Sequence, residues 1–264
     1  MNETALITGA SSGIGAEFAR QLAAQGHDLV LVARSASRMH DLAAALRQAH
    51  GVRVEVIPQD LVEPDAATRV VRELQARGLK VDVLVNNAGF GTCGRFEEIS
   101  AARDHDQLMV NVLALTDLTH LLAPPMLERG HGAVVNVAST AAFQPAAYFA
   151  VYSAAKAFVL NFSLALWSEY RDRGVKVLAL CPGPVETRFF EVIGTRKAAI
   201  NGRMATPQRV VTRALRALER NRGYVVPGSS NFISAQPSAH AVGPGEPRLH
   251  PRCAHGPMTS GPPR

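Results

Sequence analysis

Thr4-Ala-Leu-Ile-Thr8 runs straight into Gly9-Ala-Ser-Ser-Gly13-Ile-Gly15, and a helical pattern follows over residues 16–25 until Gly26 stops it. The first five residues are a short β-rich run with an apolar centre. The glycines that follow permit a tight turn and a close approach of backbone to a ligand. The helix behind them opens with unpaired N–H groups and the positive end of its dipole. Strand, glycine-rich turn and helix in this order are what a dinucleotide pyrophosphate needs. The spacing is Gly-x-x-x-Gly-x-Gly rather than Gly-x-Gly-x-x-Gly, and any tight strand-to-helix turn can use glycines. The rest of the chain decides between the two.

The alternation continues. Asp28–Ala33 reads as a second strand, residues 37–50 as a helix ended by Gly51, and residues 52–57 as a third strand. Pro64 is placed as the first residue of a helix to about Arg77, with Gly78 beyond its end. A fourth strand covers residues 81–86, and a long helical tract covers Ala101–Arg129, which Pro124-Pro125 should break or kink. Residues 133–138 and Val175–Leu180 are the fifth and sixth strands. Thr206-Pro207 caps and opens a helix to about Arg220, and residues 224–227 form an edge strand that tolerates its proline. Apolar strands alternating with helices imply a parallel sheet covered on both faces. The fold class is therefore α/β, a doubly wound parallel sheet of about seven strands in a single domain. Ligands of such sheets bind beyond the C-terminal strand ends, where Gly9, Arg34, Asp60, Asn87, Ser139 and Pro182 all fall.

Composition narrows the classes. The chain has 264 residues, 47% of them apolar, which is ample for a large core. A net charge of +6 without Lys/Arg runs fits an anionic small ligand and argues against nucleic acid. Cys93, Cys181 and Cys253 are too few and scattered for a disulfide framework or a metal cage, and the nine histidines include no His-Glu-x-x-His. No metal is expected, and a reduced, cytoplasmic compartment fits best. A first strand starting near Thr4 leaves no room for a signal peptide, and no run of about 18 uninterrupted apolar residues suggests a transmembrane segment.

Between the fifth and sixth strands lies Tyr152-Ser-Ala-Ala-Lys156, at the start of an alanine- and leucine-rich helix reaching Tyr170. Four residues apart on one helix, Tyr152 and Lys156 share a face. A fixed ammonium beside a phenol favours the phenolate, so the pair can pass a proton to or from a substrate oxygen. Taken alone it reads more readily as a partly buried tyrosine beside a snorkelling lysine, and the rest of the chain reverses that preference. At the end of the second strand, where an acid would bind the ribose hydroxyls of NAD, stand Ala33-Arg34, with Arg38 four residues on. A guanidinium matches a 2′-phosphate, so NADP is favoured, with NAD possible.

Further pieces follow the strand ends in turn: Asn86-Asn87-Ala88-Gly89, Ser139, and Cys181-Pro182-Gly183. With the glycine turn, Asp60, Asn111 and Tyr152-x-x-x-Lys156, this ordered set resembles the short-chain dehydrogenase/reductase family over about residues 3–228. The resemblance implies a Rossmann-like catalytic domain over residues 1–228 that moves a hydride between a nicotinamide and a carbonyl or alcohol. It implies that Tyr152 is the acid/base, that Lys156 holds the nicotinamide ribose and lowers the tyrosine pKa, and that Ser139 polarises the carbonyl. Asn111 would hold a water in a proton relay. Gly9, Ser11, Ser12, Gly13, Ile14 and Gly15 would cradle the pyrophosphate. Asp60 and the Leu61 backbone would contact the adenine, and Asn87, Ala88 and Gly89 would line the adenine-ribose side. Pro182, Gly183, Val185 and Thr187 would pack against the nicotinamide.

Substrate choice is expected in residues 90–96, 141–149 and the segment after Thr187, where phenylalanines and small residues alternate and suggest an apolar pocket. Related folds commonly pair through their long helices, so a homodimer or homotetramer is expected. Residues 229–264 hold seven of the sixteen prolines and lose apolar periodicity, which predicts a disordered tail. A dinucleotide-binding regulator without turnover is the other reading. Against it, Asn111, Ser139, Tyr152 and Lys156 are all present.

Overall fold

A computed structural model of the chain describes residues 2–193 and 204–228. The expected tail, residues 229–264, lies outside the described residues. In chain order the elements are β1 (Thr4–Thr8), α1 (Gly13–Ala24), β2 (Asp28–Ala33), α2 (Ala36–His50), β3 (Val54–Pro58), α3 (Ala66–Ala76) and β4 (Val83–Asn86). They continue with α4 (Ala101–Leu108), α5 (Ala114–Arg129), β5 (Gly132–Val137), α6 (Ala150–Tyr170), β6 (Val175–Leu180), α7 (Phe189–Ile193), α8 (Pro207–Glu219) and β7 (Tyr224–Val225). The described strands form one sheet in the order β3-β2-β1-β4-β5-β6-β7, parallel at every pairing.

Strand alternation fills both faces. Ile7, Leu31, Val85, Val135 and Leu178 enter one core with Phe18 of α1, Met39 of α2 and Val211 of α8. Their neighbours Leu6, Val30, Leu84, Val134 and Val177 enter the other, with Val70 of α3, Leu118 of α5 and Leu166 of α6. Each such side chain contributes about 1.5–3 kcal/mol when fully buried. The order reverses direction between β1 and β4, so the crevice opens past Thr8 and Asn86, beside the glycine turn.

Two proline expectations fail for physical reasons. Pro64 does not open α3; Asp65 sits at φ 57° ahead of the helix, so the chain leaves the helical region between them and α3 begins at Ala66. Pro124 and Pro125 do not break α5, which runs through to Arg129. Both prolines and the residues four before them, His120 and Leu121, are exposed, so water can serve the carbonyls that lose N–H partners. The tract does change character earlier. A π-turn over Met109–Leu113 joins α4 to α5, with Ala114 N–H donating to the Met109 carbonyl. The Ala101–Arg129 tract and the α6 helix are long and apolar enough to cross a membrane by length and composition. In the fold Leu118, Leu122, Val159 and Leu166 of these helices are buried beneath or beside the sheet. Cys181 is a free, buried thiol.

Candidate active site

The glycine turn is shaped by contacts that only glycine allows. Gly9 (φ 65°) and Gly13 (φ 57°) take left-handed conformations. A Cβ on Gly15 would lie 2.4 Å from the Gly9 carbonyl and 2.5 Å from Asn87 Nδ2, and one on Gly9 would lie 2.8 Å from the same Nδ2. Asn87 is therefore the strut of the turn, its Nδ2 donating to the Thr8 carbonyl at 2.9 Å and to Gly9 at 3.3 Å. The Nδ2 end of its amide is thus held by the turn. Thr8 Oγ1 completes the seam by accepting from the N–H groups of Asn87 and Ala88, both at 3.0 Å. α1 starts at Gly13, and Ser12 caps it without using its side chain. Backbone donors and a spare hydroxyl thus face the crevice beside Ser11 and Ile14, which suits an anionic pyrophosphate.

Around this turn the other expected contacts gather unevenly. Thr187 comes to 3.0 Å from a Cβ placed on Gly13, so the segment after β6 closes over the turn. Ser12, Gly13, Glu186, Thr187, Arg188 and Met204 line part of a cavity of about 600 Å3 here, and Tyr152 does not line it. Arg34 is exposed and pairs with Asp60 at 3.8 Å, while the Asp60 carboxylate also accepts from Val62 N–H at 3.1 Å. The Leu61 and Val185 side chains are buried. Thr140 N–H donates to the Pro182 carbonyl at 3.0 Å, which fastens the Ser139 turn to Pro182-Gly183.

The reactive residues converge beyond β4 and β5. Ser139 Oγ accepts from Ala141 N–H at 3.1 Å and lies near enough to the Tyr152 hydroxyl to lower its pKa. Lys156, buried one turn along α6, donates to the Val137 carbonyl at 2.8 Å, with Nζ 5.8 Å from the centre of the Tyr152 ring. Burial pushes the Tyr152 phenol up to about 12, partly offset by Ser139. The expected lowering by Lys156 is absent because burial dominates and the ammonium is aimed at Val137. Burial also pushes Lys156 down to about 8, with Cys181 acting weakly in the opposite sense. Burial raises Cys181 to about 12, partly offset by Lys156.

Asn111 is tied to the loop after β4. Its Nδ2 donates to the Phe90 carbonyl at 2.8 Å and its Oδ1 accepts from Phe90 N–H at 3.1 Å. One donor and one acceptor site of the amide are used on Phe90, and the second site at each end is left. Gly89 lies where Asn111 and Lys156 come together: a Cβ there would be 2.6 Å from Asn111 Oδ1 and 3.5 Å from Lys156 Nζ.

A buried polar seam that no motif marked fixes the helices carrying these groups. Asn86 Nδ2 donates to Thr119 Oγ1 at 3.0 Å and to Asn136 Oδ1 at 2.9 Å. Asn136 Nδ2 donates in turn to Ser163 Oγ at 3.0 Å. The seam runs from α5 over β4 and β5 to α6 on one face of the sheet. Only the polar residues within apolar strands, Asn86 and Asn136, signalled it in the sequence.

A glycine cradle at a topological switch point, with a tyrosine, serine and lysine beside it, defines a dinucleotide-dependent oxidoreductase class. The short chain dehydrogenase family profile matches residues 3–198, and the chain belongs to that family. It is 34% identical over 224 residues to the ketoacyl reductase HetN of Nostoc sp., covering 85% of this chain and 78% of that protein. It is 30% identical over 247 residues to the very-long-chain 3-oxoacyl-CoA reductase of Homo sapiens, covering 90% of this chain and 77% of that protein. Among solved structures, a short-chain dehydrogenase from Sphingobium yanoikuyae in complex with NADPH superposes with TM-score 0.81 at 36% identity, covering 86% of this chain and 88% of that one. The bulky-bulky ketone specific alcohol dehydrogenase from Comamonas testosteroni superposes with TM-score 0.76 at 33% identity, covering 88% and 89%.

Proposed function

We propose that this chain reduces bulky, apolar ketones with NADPH, or oxidises the matching secondary alcohols with NADP. One observation carries the reading: Ser139 lies near enough to the Tyr152 phenol to lower its pKa, while the Lys156 ammonium stands buried one turn away. The residues present fit the cofactor. The Gly9–Gly15 cradle is one that a single Cβ would fill, and Ser12 is free to bind phosphate. Arg34, with only a long contact to Asp60, can turn with Arg38 to a 2′-phosphate. Thr187, Pro182 and Gly183 border the nicotinamide end. A nicotinamide bound there supplies or accepts the hydride.

Ser139 and Tyr152 hold the carbonyl oxygen between two hydroxyls. As the carbonyl carbon is reduced its oxygen gains charge, and Tyr152 delivers the phenolic proton. A phenol held protonated by burial is the correct form for that direction. In the alcohol-oxidising direction Tyr152 must lose its proton, and a Lys156 ammonium turned from the Val137 carbonyl toward the phenol would favour the loss. Phe149 edges the Tyr152 ring at 6.1 Å and Phe189 tilts against it at 5.5 Å, an aromatic wall suited to an apolar substrate. The similarity to a bulky-ketone dehydrogenase and to ketoacyl reductases points the same way.

The reading includes a cytoplasmic setting and self-association. Leu108, Leu113, Leu121 and Phe158, along α4, the π-turn, α5 and α6, are exposed apolar residues that a second copy would cover. Light scattering at micromolar concentration should give at least twice the 28.2 kDa chain mass. The function itself is tested by following NADPH oxidation against a panel of aryl-alkyl, diaryl and long-chain ketones beside small ones such as acetone. Faster turnover of the bulky members supports the reading, and oxidation of none of them, with no reduction of NADP by the matching alcohols, contradicts it.

A further inference from the structure

The loop after β4 is fastened at successive residues. Asn111 pins both polar groups of Phe90. Gly91 is buried against Tyr152, and a Cβ there would lie 3.1 Å from Tyr152 Cδ2. Gly94 N–H donates to the carbonyl of Tyr148, a residue held at φ 67°. Between them, Thr92 Oγ1 reaches Asp104 Oδ1 and Gln107 Oε1, both at 3.2 Å. Asp104 and Gln107 stand three apart on α4 and are 8% and 0% exposed.

One hydroxyl proton cannot serve two acceptors, and Gln107 Nε2 is buried without a partner. Turning the Gln107 amide over resolves both defects, since carbonyl and amino ends are exchanged by choice of assignment. The chain is then Gln107 Nε2–H to Thr92 Oγ1, and Thr92 O–H to the Asp104 carboxylate. This is a directed polar link from α4 to the loop. The same α4 runs into the π-turn that carries Asn111, so both anchors of the loop move together.

We propose that Thr92, Asp104 and Gln107 are positioning residues which, through Gly91, hold the Tyr152 ring at the height where its hydroxyl meets Ser139. None of the three touches the reacting atoms. The clamp rests on the assignment of Tyr152 as the acid/base, and its effect is on rate. If the hydroxyl link is lost, Gly91 is free to recede, the ring follows, and the phenol leaves the line between Ser139 and the substrate oxygen. Displacements of this kind, on the order of 1 Å, cost up to about 10²-fold in rate.

The test compares wild type with Thr92→Val, Thr92→Ser, Gln107→Met and Tyr152→Phe, using NADPH and the panel ketone turned over fastest. Valine keeps the shape of threonine without the hydroxyl; serine keeps the hydroxyl. Thr92→Val and Gln107→Met should each lower kcat about tenfold or more, while ketone KM and NADPH Kd stay within about twofold, and Thr92→Ser should restore kcat. Gln107→Met keeps the test open if Thr92→Val folds poorly. Unchanged kcat in a folded Thr92→Val or Gln107→Met protein overturns the clamp. So does a Thr92→Ser that is as slow as Thr92→Val, which would make the threonine methyl, and hence packing, the cause. Near-normal turnover by Tyr152→Phe would instead remove the assignment on which the clamp rests, an outcome distinct from a clamp failure with Tyr152→Phe inactive.

Discussion

Gly89→Ala tests the arrangement of the site with a single methyl group. Its backbone is not in the left-handed region, so alanine meets no conformational penalty there. The new Cβ would lie 2.6 Å from Asn111 Oδ1, well inside contact distance, and 3.5 Å from Lys156 Nζ, an ordinary contact. Asn111 cannot easily give way, being 1% exposed and bonded at both ends to Phe90. If the site strains to keep Asn111 in place, overpacking costs about 1–3 kcal/mol. If Asn111 swings aside, two hydrogen bonds at about 0.5–1.5 kcal/mol each are lost, a similar sum. Either route should lower Tm by roughly 4–8 °C for a loss near 2 kcal/mol in a domain of this size. Turnover should fall more than stability alone explains, because Phe90 is released next to Gly91, which packs against Tyr152. Gly94→Ala is the control, since its Cβ would meet only Ile99 at 3.5 Å. The assays are a thermal melt and NADPH oxidation on purified proteins. A Gly89→Ala protein that melts and turns over like Gly94→Ala would refute the placement of Asn111 and Phe90 around that glycine.

Arg34→Asp removes the guanidinium and sets a second carboxylate beside Asp60. It should raise the Kd for NADPH and shift the ratio of kcat/KM for the two cofactors toward NADH, and a wild-type preference for NADH would contradict the cofactor assignment. Lys156→Met should abolish most turnover yet stabilise the ligand-free protein at pH 7. The folded ammonium titrates at about 8 against 10.5 unfolded. The unfolded chain therefore binds more protons between those values, and stability from this group rises with pH across that window. The full penalty applies below it and amounts to at most about 3 kcal/mol at pH 7, less the lost bond to Val137. The variant's advantage in Tm should shrink as pH climbs toward 10, and an advantage that grows with pH would contradict the assignment.

The fold was legible because its signals are local. Apolar strand runs, Gly26, Gly51 and Gly78 at helix ends, and the Thr206-Pro207 start each depend on a few adjacent residues. Pro64 and Pro124-Pro125 misled because the consequence of a proline depends on where its neighbours point, and that is set by burial. The candidate site divides the same way. Tyr152, Lys156 and Ser139 were visible as residue types at fixed spacings. What each polar group is bonded to was not. Asn87 spends its amide on a turn 78 positions away, and Asn111 on a peptide 21 positions away. Thr92 carried no motif, since its partners lie on a helix whose surface pattern says nothing of the loop that packs on it. The phenol's upward displacement follows from enclosure by Gly91, Phe149 and Phe189, which only the folded chain brings together.

The central claim is that Tyr152 moves the proton while the glycine turn and its surroundings hold the cofactor independently. The most direct measurement takes Tyr152→Phe and determines NADPH Kd by fluorescence and kcat with the best panel ketone. Phenylalanine keeps the ring against Gly91 and Phe189 and removes only the hydroxyl. The account predicts a Kd within about twofold of wild type and a kcat lower by about 10²–10⁴, the usual worth of a positioned acid. A kcat close to wild type with the hydroxyl gone would contradict it.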